Sequence, residues 1–89
     1  MSQIFYVIHR KNMDEFLSVW EDGEGNVYYY IVAHDEINRG AIFQTEKDAE
    51  FCLKEFADRS EFAKFLPENR IEFCADATIE KIFVTFEEK

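Results

Sequence analysis

The fold is decided at residues 15–34, which read EFLSVWEDGEGNVYYYIVAH. Two segments of this stretch, 15–21 and 26–34, are rich in β-branched and aromatic side chains, which favour strands. The acidic turn between them, residues 22–25, contains two glycines, and glycine readily adopts the positive φ that a tight hairpin requires. The stretch therefore predicts an antiparallel β-hairpin, and the rest of the chain is interpreted around it.

The flanking segments extend this hairpin into a sheet. Residues 3–9 are apolar almost throughout, which suits an internal strand covered on both faces. A loop at 35–40 leads to a short strand predicted at 41–44, so the N-terminal half is interpreted as an antiparallel meander. Further strands are predicted at 71–75 and, from clearer alternation, at 78–86. The sequence thus predicts an antiparallel sheet of about four to six strands.

A helix is predicted to begin at residue 46, because Thr45 is a good N-cap and Asp48 places negative charge in the first turn. An apolar stripe at helical spacing would lie against the sheet. It consists of Ala49, Cys52, Leu53, Phe56 and Ala57.

We expect this helix to break near Arg59 and Ser60, and a short second helix over 61–66 to end at Pro67. The predicted fold class is therefore α+β, with residues 1–89 forming one domain and the helices lying on one face of the sheet.

Both faces of the predicted sheet are apolar. One face would carry Phe5, Val7, Tyr28, Tyr30 and Val32, and the other Ile4, Tyr6, Ile8, Tyr29 and Ile31. One layer of helix covers only one face, so the second is closed either by the second helix and aromatic stems, or by a partner or a second copy. Tyr28 and Tyr30 are accordingly candidate contact residues. Phe51, on the outer face of the first helix, is another, although packing against Phe62 or Phe65 would explain it equally well.

The charge indicates what kind of partner to expect. The chain has 19 acidic and 10 basic residues, a net charge of -9, together with enough apolar residues for a folded core. No basic patch is present, which disfavours direct binding of nucleic acid or anionic lipid. Exposed carboxylates would instead attract a basic protein, unless they serve only solubility. The candidate partner-binding carboxylates are Glu21, Asp22, Glu24, Asp35, Glu36, Asp48, Glu55 and Asp58.

No pattern predicts a metal, a cofactor or a catalytic residue. The histidines and cysteines, His9, His34, Cys52 and Cys74, include no pair at the short spacing of zinc ligands. The calcium-loop pattern that begins at Asp22 fails at Val27 and Ala33, where glycine and glutamate are required. Both cysteines lie in apolar surroundings, where we expect reduced core thiols. Catalysis is therefore not expected.

In size, acidity and aromatic-rich α+β pattern, the chain resembles small phage-encoded proteins that block host defence, such as anti-CRISPR and anti-restriction proteins that mimic nucleic acid. The resemblance implies a non-enzymatic inhibitor of a basic, nucleic-acid-handling protein in the cytoplasm of the host cell. The absence of a secretory signal or a run of ~20 apolar residues agrees with a cytoplasmic protein. The alternative is a small homodimeric structural or regulatory domain that associates through the aromatic sheet face.

Overall fold

A computed structural model describes residues 2–85 of the chain, which form a five-stranded sheet and two α-helices. The strands are β1 (Ser2–Arg10), β2 (Glu15–Glu21), β3 (Val27–Ala33), β4 (Ala63–Phe65) and β5 (Ala77–Thr85), in the order β4-β3-β2-β1-β5. The helices are α1 (Glu46–Ala57) and α2 (Arg70–Asp76). This confirms the α+β class; all strand pairs are antiparallel except β3 with β4. Neither helix of the described residues is long and apolar enough to cross a membrane.

The predicted hairpin is confirmed. β2 pairs with β3 in register from Glu15 opposite Ala33 to Glu21 opposite Val27. Of the two glycines in the turn, only Gly25 has a positive φ, 87°. The turn therefore needs glycine at one position, and the flanking apolar residues set the register.

The sheet opens between β1 and β2, and a later segment fills the gap. The two strands pair only where residues 9–10 face residues 15–16. Further along β1, Tyr6 instead exchanges two backbone hydrogen bonds of 2.8 Å with Phe43. The strand predicted at 41–44 is therefore reduced to a single bridge, because residues 39–41 form a 3₁₀ turn instead of extending.

Gly40 explains how that turn fits so closely against β2. A Cβ atom at this position would lie 2.6 Å from both the Ser18 hydroxyl oxygen and the Val19 carbonyl oxygen. Asn38 secures the approach: its side-chain oxygen accepts hydrogen bonds from the Ser18 hydroxyl at 2.8 Å and from the Gly40 N–H at 2.9 Å. The buried Ser18 is thereby satisfied, and this segment covers part of the sheet face opposite the helices.

The core lies between the helices and the other sheet face. Its buried members are Ile8, Leu17, Tyr29, Ala49, Cys52, Phe56 and Phe73. The Phe56 ring lies 5.1 Å from that of Tyr29 and 6.0 Å, edge-on, from that of Phe73. The helix start is confirmed by the Thr45 hydroxyl, which accepts the Asp48 N–H at 3.1 Å. The predicted apolar stripe also faces the core, except for Ala57, which is exposed because the helix ends there.

The helix predicted over 61–66 is wrong. The break at Arg59 is present, with φ 55°, but the chain then forms β4 and runs parallel to β3. The Val27 N–H donates to the Phe62 carbonyl oxygen at 2.9 Å. A six-residue helix would leave most of its backbone groups without partners, whereas the edge of β3 supplies partners to an extended segment.

The strand predicted at 71–75 is also wrong, since α2 occupies this segment. The adjacent residues Phe73 and Cys74 both pack toward the core, whereas adjacent residues of a strand point to opposite faces. Arg70 ties the two helices together, because its guanidinium donates to the carbonyl oxygens of Phe56 at 3.2 Å and Ala57 at 2.5 Å.

α2 lies on the same sheet face as α1, and the helix predicted over 61–66, which would help to cover the opposite face, is replaced by β4. The last predicted strand, 78–86, corresponds to β5, although Phe86 lies outside the described residues. The alternation of two apolar faces is confirmed in the centre of β1, where the adjacent residues Val7 and Ile8 are both buried.

Candidate functional site

A groove of about 300 Å³ runs between α1 and the turn end of the β2–β3 hairpin. The residues that determine its chemistry are Glu21, Val27, Tyr29, Phe51, Cys52 and Glu55. The first three belong to the helix-facing side of the hairpin, and the last three are neighbours on the surface of α1. We refer to these six residues as the hairpin–helix groove.

Glu55 is unusual among the carboxylates of the described chain. Four of the acidic residues are half-buried, and the carboxylates of three, Glu15, Asp22 and Glu80, each have a hydrogen-bonding side chain as partner. For the Glu55 carboxylate, residues 2–85 supply neither a hydrogen-bond donor nor a basic group within 4.0 Å. Glu21, which is exposed, also lacks a basic neighbour in this part of the chain. The groove thus brings together two carboxylates that are not neutralised.

The floor of the groove is uncharged at neutral pH. Burial raises the pKa of the Tyr29 hydroxyl to about 12, and electrostatic interactions with Cys52, Glu55 and Glu21 add to this effect. Burial, with a contribution from the Glu55 charge, also raises the pKa of the Cys52 thiol to about 12. Cys52 therefore stays protonated at neutral pH. An apolar floor below two carboxylates is complementary to a cation with an apolar stem.

Phe51 stands at the edge of the groove with 65% of its surface exposed. Phe65 does not cover it, because the Phe65 ring stacks on Tyr30 on the opposite face of the sheet, 5.2 Å between centroids. Helical spacing places Asp48, Phe51, Glu55 and Asp58 along one stripe of the helix. Three of the predicted carboxylates thus share this stripe with an exposed aromatic ring.

Asp22 holds the turn of the hairpin together. Its carboxylate accepts the backbone N–H groups of Glu24 at 2.8 Å and Asn26 at 3.0 Å. It also accepts the Asn26 side-chain amide at 2.9 Å and the Tyr28 hydroxyl at 3.3 Å. The pKa of Asp22 is lowered, first by the Asn26 amide and then by the other donors. The carboxylate is thus engaged in building the turn, while the neighbouring Glu24 is exposed.

Asp35 and Glu36 lie far from the hairpin–helix groove. They are exposed in a 3₁₀ turn (His34–Glu36) that follows the far end of β3. The seven residues of β3 separate this turn from the hairpin tip by roughly 20 Å. The structure therefore separates Asp35 and Glu36 from the predicted carboxylates of the hairpin tip, Glu21, Asp22 and Glu24.

The sheet face opposite the helices carries a second exposed feature. Trp20, Tyr30 and Phe65, on three adjacent strands, are 44%, 39% and 45% exposed. Tyr28 lies between Trp20 and Phe65 in the strand register and is half-buried. We call these four residues the aromatic strip. Sequence reasoning identifies its tyrosines as contact residues but not Trp20 or Phe65, and it misplaces Phe65 because it predicts a helix over 61–66.

His9 lies in a cluster that the sequence did not predict. Its Nδ1 is 2.5 Å from a Glu80 carboxylate oxygen, its Nε2 is 2.9 Å from an Asp14 oxygen, and its ring stacks on Phe16 at 4.3 Å. Both ring nitrogens therefore lie beside a carboxylate. Within the described residues, no group of three or more His, Cys, Asp or Glu side chains is arranged to hold a metal ion.

Comparison of the chain with protein-family models, curated proteins and solved structures finds no match. A function is therefore inferred from the geometry and charge of the surfaces described above.

Proposed function

We propose that this protein is a non-enzymatic binding protein that inhibits or regulates a basic, nucleic-acid-handling protein. The observation that supports this proposal is the hairpin–helix groove, in which Glu21 and Glu55 lie beside the exposed Phe51 without a neutralising cation in the described chain. A basic partner would supply the missing positive charge and cover the aromatic ring.

The overall charge supports the same class of partner. A net charge of -9 creates a field that speeds the approach of a basic surface and repels nucleic acid. Basic surfaces that would attract an acidic protein are common on proteins that bind nucleic-acid phosphates. Occupation of such a surface would exclude the nucleic acid by competition. The resemblance to phage-encoded inhibitors of host defence agrees with this mode of action.

The test begins with the tagged protein and a bacterial lysate, washed with increasing salt, with mass spectrometry of the released proteins. We expect a basic nucleic-acid-binding protein that elutes at moderate salt. The captured protein is then purified, and its binding to nucleic acid is measured in the presence and absence of the acidic protein described here. The proposal would be contradicted if the captured protein kept the same affinity for nucleic acid at a saturating concentration of the acidic protein.

Matched variants separate the groove from general charge. Glu21→Gln with Glu55→Gln removes two charges from the groove, and Asp35→Asn with Glu36→Gln removes two charges at the other end of the hairpin. We expect the first pair to slow association and weaken binding more than the second. Asp22 is left unchanged, because its replacement would disrupt the turn itself.

A second candidate function is a homodimeric structural or regulatory domain that associates through the aromatic strip. The observation that favours it is the exposure of Trp20, Tyr30 and Phe65 on one face. Sedimentation equilibrium over a wide concentration range tests it. We expect a dimer that Tyr30→Ser weakens if this function holds, and a monomer at all concentrations would contradict it.

A further inference from the structure

We infer that the hairpin–helix groove binds one arginine side chain of the basic partner, with its guanidinium between Glu21 and Glu55. This inference rests on the proposed function and names what the groove would recognise.

Among the half-buried acidic residues of residues 2–85, Glu55 is the one whose carboxylate has no partner. A carboxylate with no donor or counter-charge nearby keeps its oxygens available to accept hydrogen bonds from a cation. The carboxylates of Glu15, Asp22 and Glu80 already have such partners, whereas for Glu55 residues 2–85 supply none. A cation from outside would complete the pattern.

The size and lining of the groove suit one long side chain. At about 300 Å³, the groove lies at the lower limit of small-ligand pockets, which fits one extended side chain. Val27 and the neutral Tyr29 and Cys52 form an apolar floor. Methylene groups of a long side chain would bury their surface on this floor while the charged end remained at the carboxylates.

Two carboxylates and an aromatic ring favour arginine over lysine. A guanidinium is planar and carries five N–H donors, so it can donate to two carboxylates at once, and it is less strongly hydrated than an ammonium group. It also stacks well on an aromatic face, and Phe51 presents a ring with 65% of its surface exposed at the edge of the groove. An ammonium group would engage the same carboxylates with fewer donors and a higher desolvation cost.

The test uses the full-length, ¹⁵N-labelled protein and a defined probe, N-acetyl-arginine amide. N-acetyl-lysine amide is the matched control probe. Amide shifts are recorded by NMR during titration to tens of millimolar. We expect saturable shifts confined to residues 19–21, 27–29 and 51–55, and at least about threefold tighter binding of the arginine probe. Shifts at residues 35–36 of equal size and affinity, or equal binding of both probes, would overturn the inference.

Variants confirm the location. Glu55→Gln keeps the size of the side chain and is expected to weaken arginine binding about three- to tenfold. Glu50→Gln, an exposed position elsewhere around the same helix, is the matched control and is expected to have no effect. Phe51→Ala should reduce the preference for arginine over lysine without a change in fold. Equal weakening by the Glu50 and Glu55 variants would contradict a specific groove.

The two proposals fail in different ways. If the arginine probe does not bind in the groove but the acidic protein still displaces nucleic acid from the captured protein, the arginine inference is wrong and the proposed function stands. If the probe binds as expected but no basic protein is inhibited, the proposed function is wrong and the groove has another arginine-bearing ligand.

Discussion

Glu21 and Glu55 lie on opposite walls of one groove, and no basic side chain of the described residues comes within 4.0 Å of either carboxylate. Thirty-four positions separate them in the chain, so only the packing of α1 against the hairpin makes them neighbours. This relationship distinguishes two carboxylates from the many that cover an acidic protein.

The stability of the hairpin should depend on pH through Asp22. Its pKa in the folded chain is lowered from 3.8 by the donors of the turn, so the folded state favours the ionised form. The contribution of Asp22 is therefore present above pH 3.8 and is lost as the pH falls through the lower folded value. Urea unfolding between about pH 2 and 6 should show a loss of stability in this acidic range that is smaller in Asp22→Asn.

The control for this pH dependence is Glu24→Gln, an exposed carboxylate in the same turn. This variant should lose stability in acid to the same extent as the unmodified protein. If Glu24→Gln and Asp22→Asn flatten the pH profile equally, the hydrogen bonds of Asp22 do not stabilise the folded state.

Phe56 and Phe51 provide a matched pair on one helix. Phe56 is fully buried between Tyr29 and Phe73, so Phe56→Ala should lower the free energy of unfolding by about 3–5 kcal/mol. Phe51 is 65% exposed, and Phe51→Ala should change it by no more than about 0.5 kcal/mol. Chemical denaturation of both variants measures the difference. Similar losses would mean that α1 does not direct Phe56 toward the core and Phe51 away from it.

Two glycines differ in the space around them. Gly40→Ala would place a methyl group 2.6 Å from the Ser18 hydroxyl and the Val19 backbone carbonyl oxygen, and the backbone atom cannot yield easily. We expect it to lower the free energy of unfolding by about 1–3 kcal/mol. Gly23→Ala, with no heavy atom within 4 Å, should change stability by less than about 0.5 kcal/mol. Thermal unfolding measures both, and equal effects would mean that Gly40 does not approach β2 closely.

Cys52 should react slowly with thiol reagents. Burial raises its pKa to about 12, so the thiolate is scarce at about pH 8, whereas Cys74 is only half-buried. Iodoacetamide labelling followed by mass spectrometry should modify Cys74 first in the folded chain and both cysteines alike in urea. Faster labelling of Cys52 in the folded chain would contradict its burial.

The same thiol predicts a loss of stability in alkali. Its pKa is 9.0 ordinarily and about 12 in the folded chain, so the folded state holds its proton more tightly. The corresponding stability is present below pH 9.0 and is lost as the pH rises toward 12. Urea unfolding at increasing pH measures this loss, and Cys52→Ala should remove this part of the alkaline dependence. An unchanged alkaline profile in Cys52→Ala would mean that other groups cause the loss.

The features that sequence reasoning predicts correctly have local causes. The hairpin follows from a glycine-containing turn between two apolar runs, and the start of α1 follows from the Thr45 hydroxyl and the helical spacing behind it. The candidate residues Glu21 and Glu55 are recognisable by charge alone, without any sign that they meet.

The features that sequence reasoning misses have non-local causes. Residues 63–65 form a strand because the edge of β3 offers hydrogen-bond partners, and residues 70–76 form a helix because Phe73 packs against Phe56. Neither cause lies within the segment that it shapes.

By itself, therefore, the sequence determined the hairpin, the helix start and the surplus of negative charge, because turn chemistry, capping and side-chain spacing act between residues close in the chain. Only the tertiary structure decided which carboxylates are engaged and which remain without a partner among the described residues. The Asp22 carboxylate accepts hydrogen bonds within its own turn. Glu55 lies half-buried beside Glu21 because α1 packs against a hairpin from a distant part of the sequence.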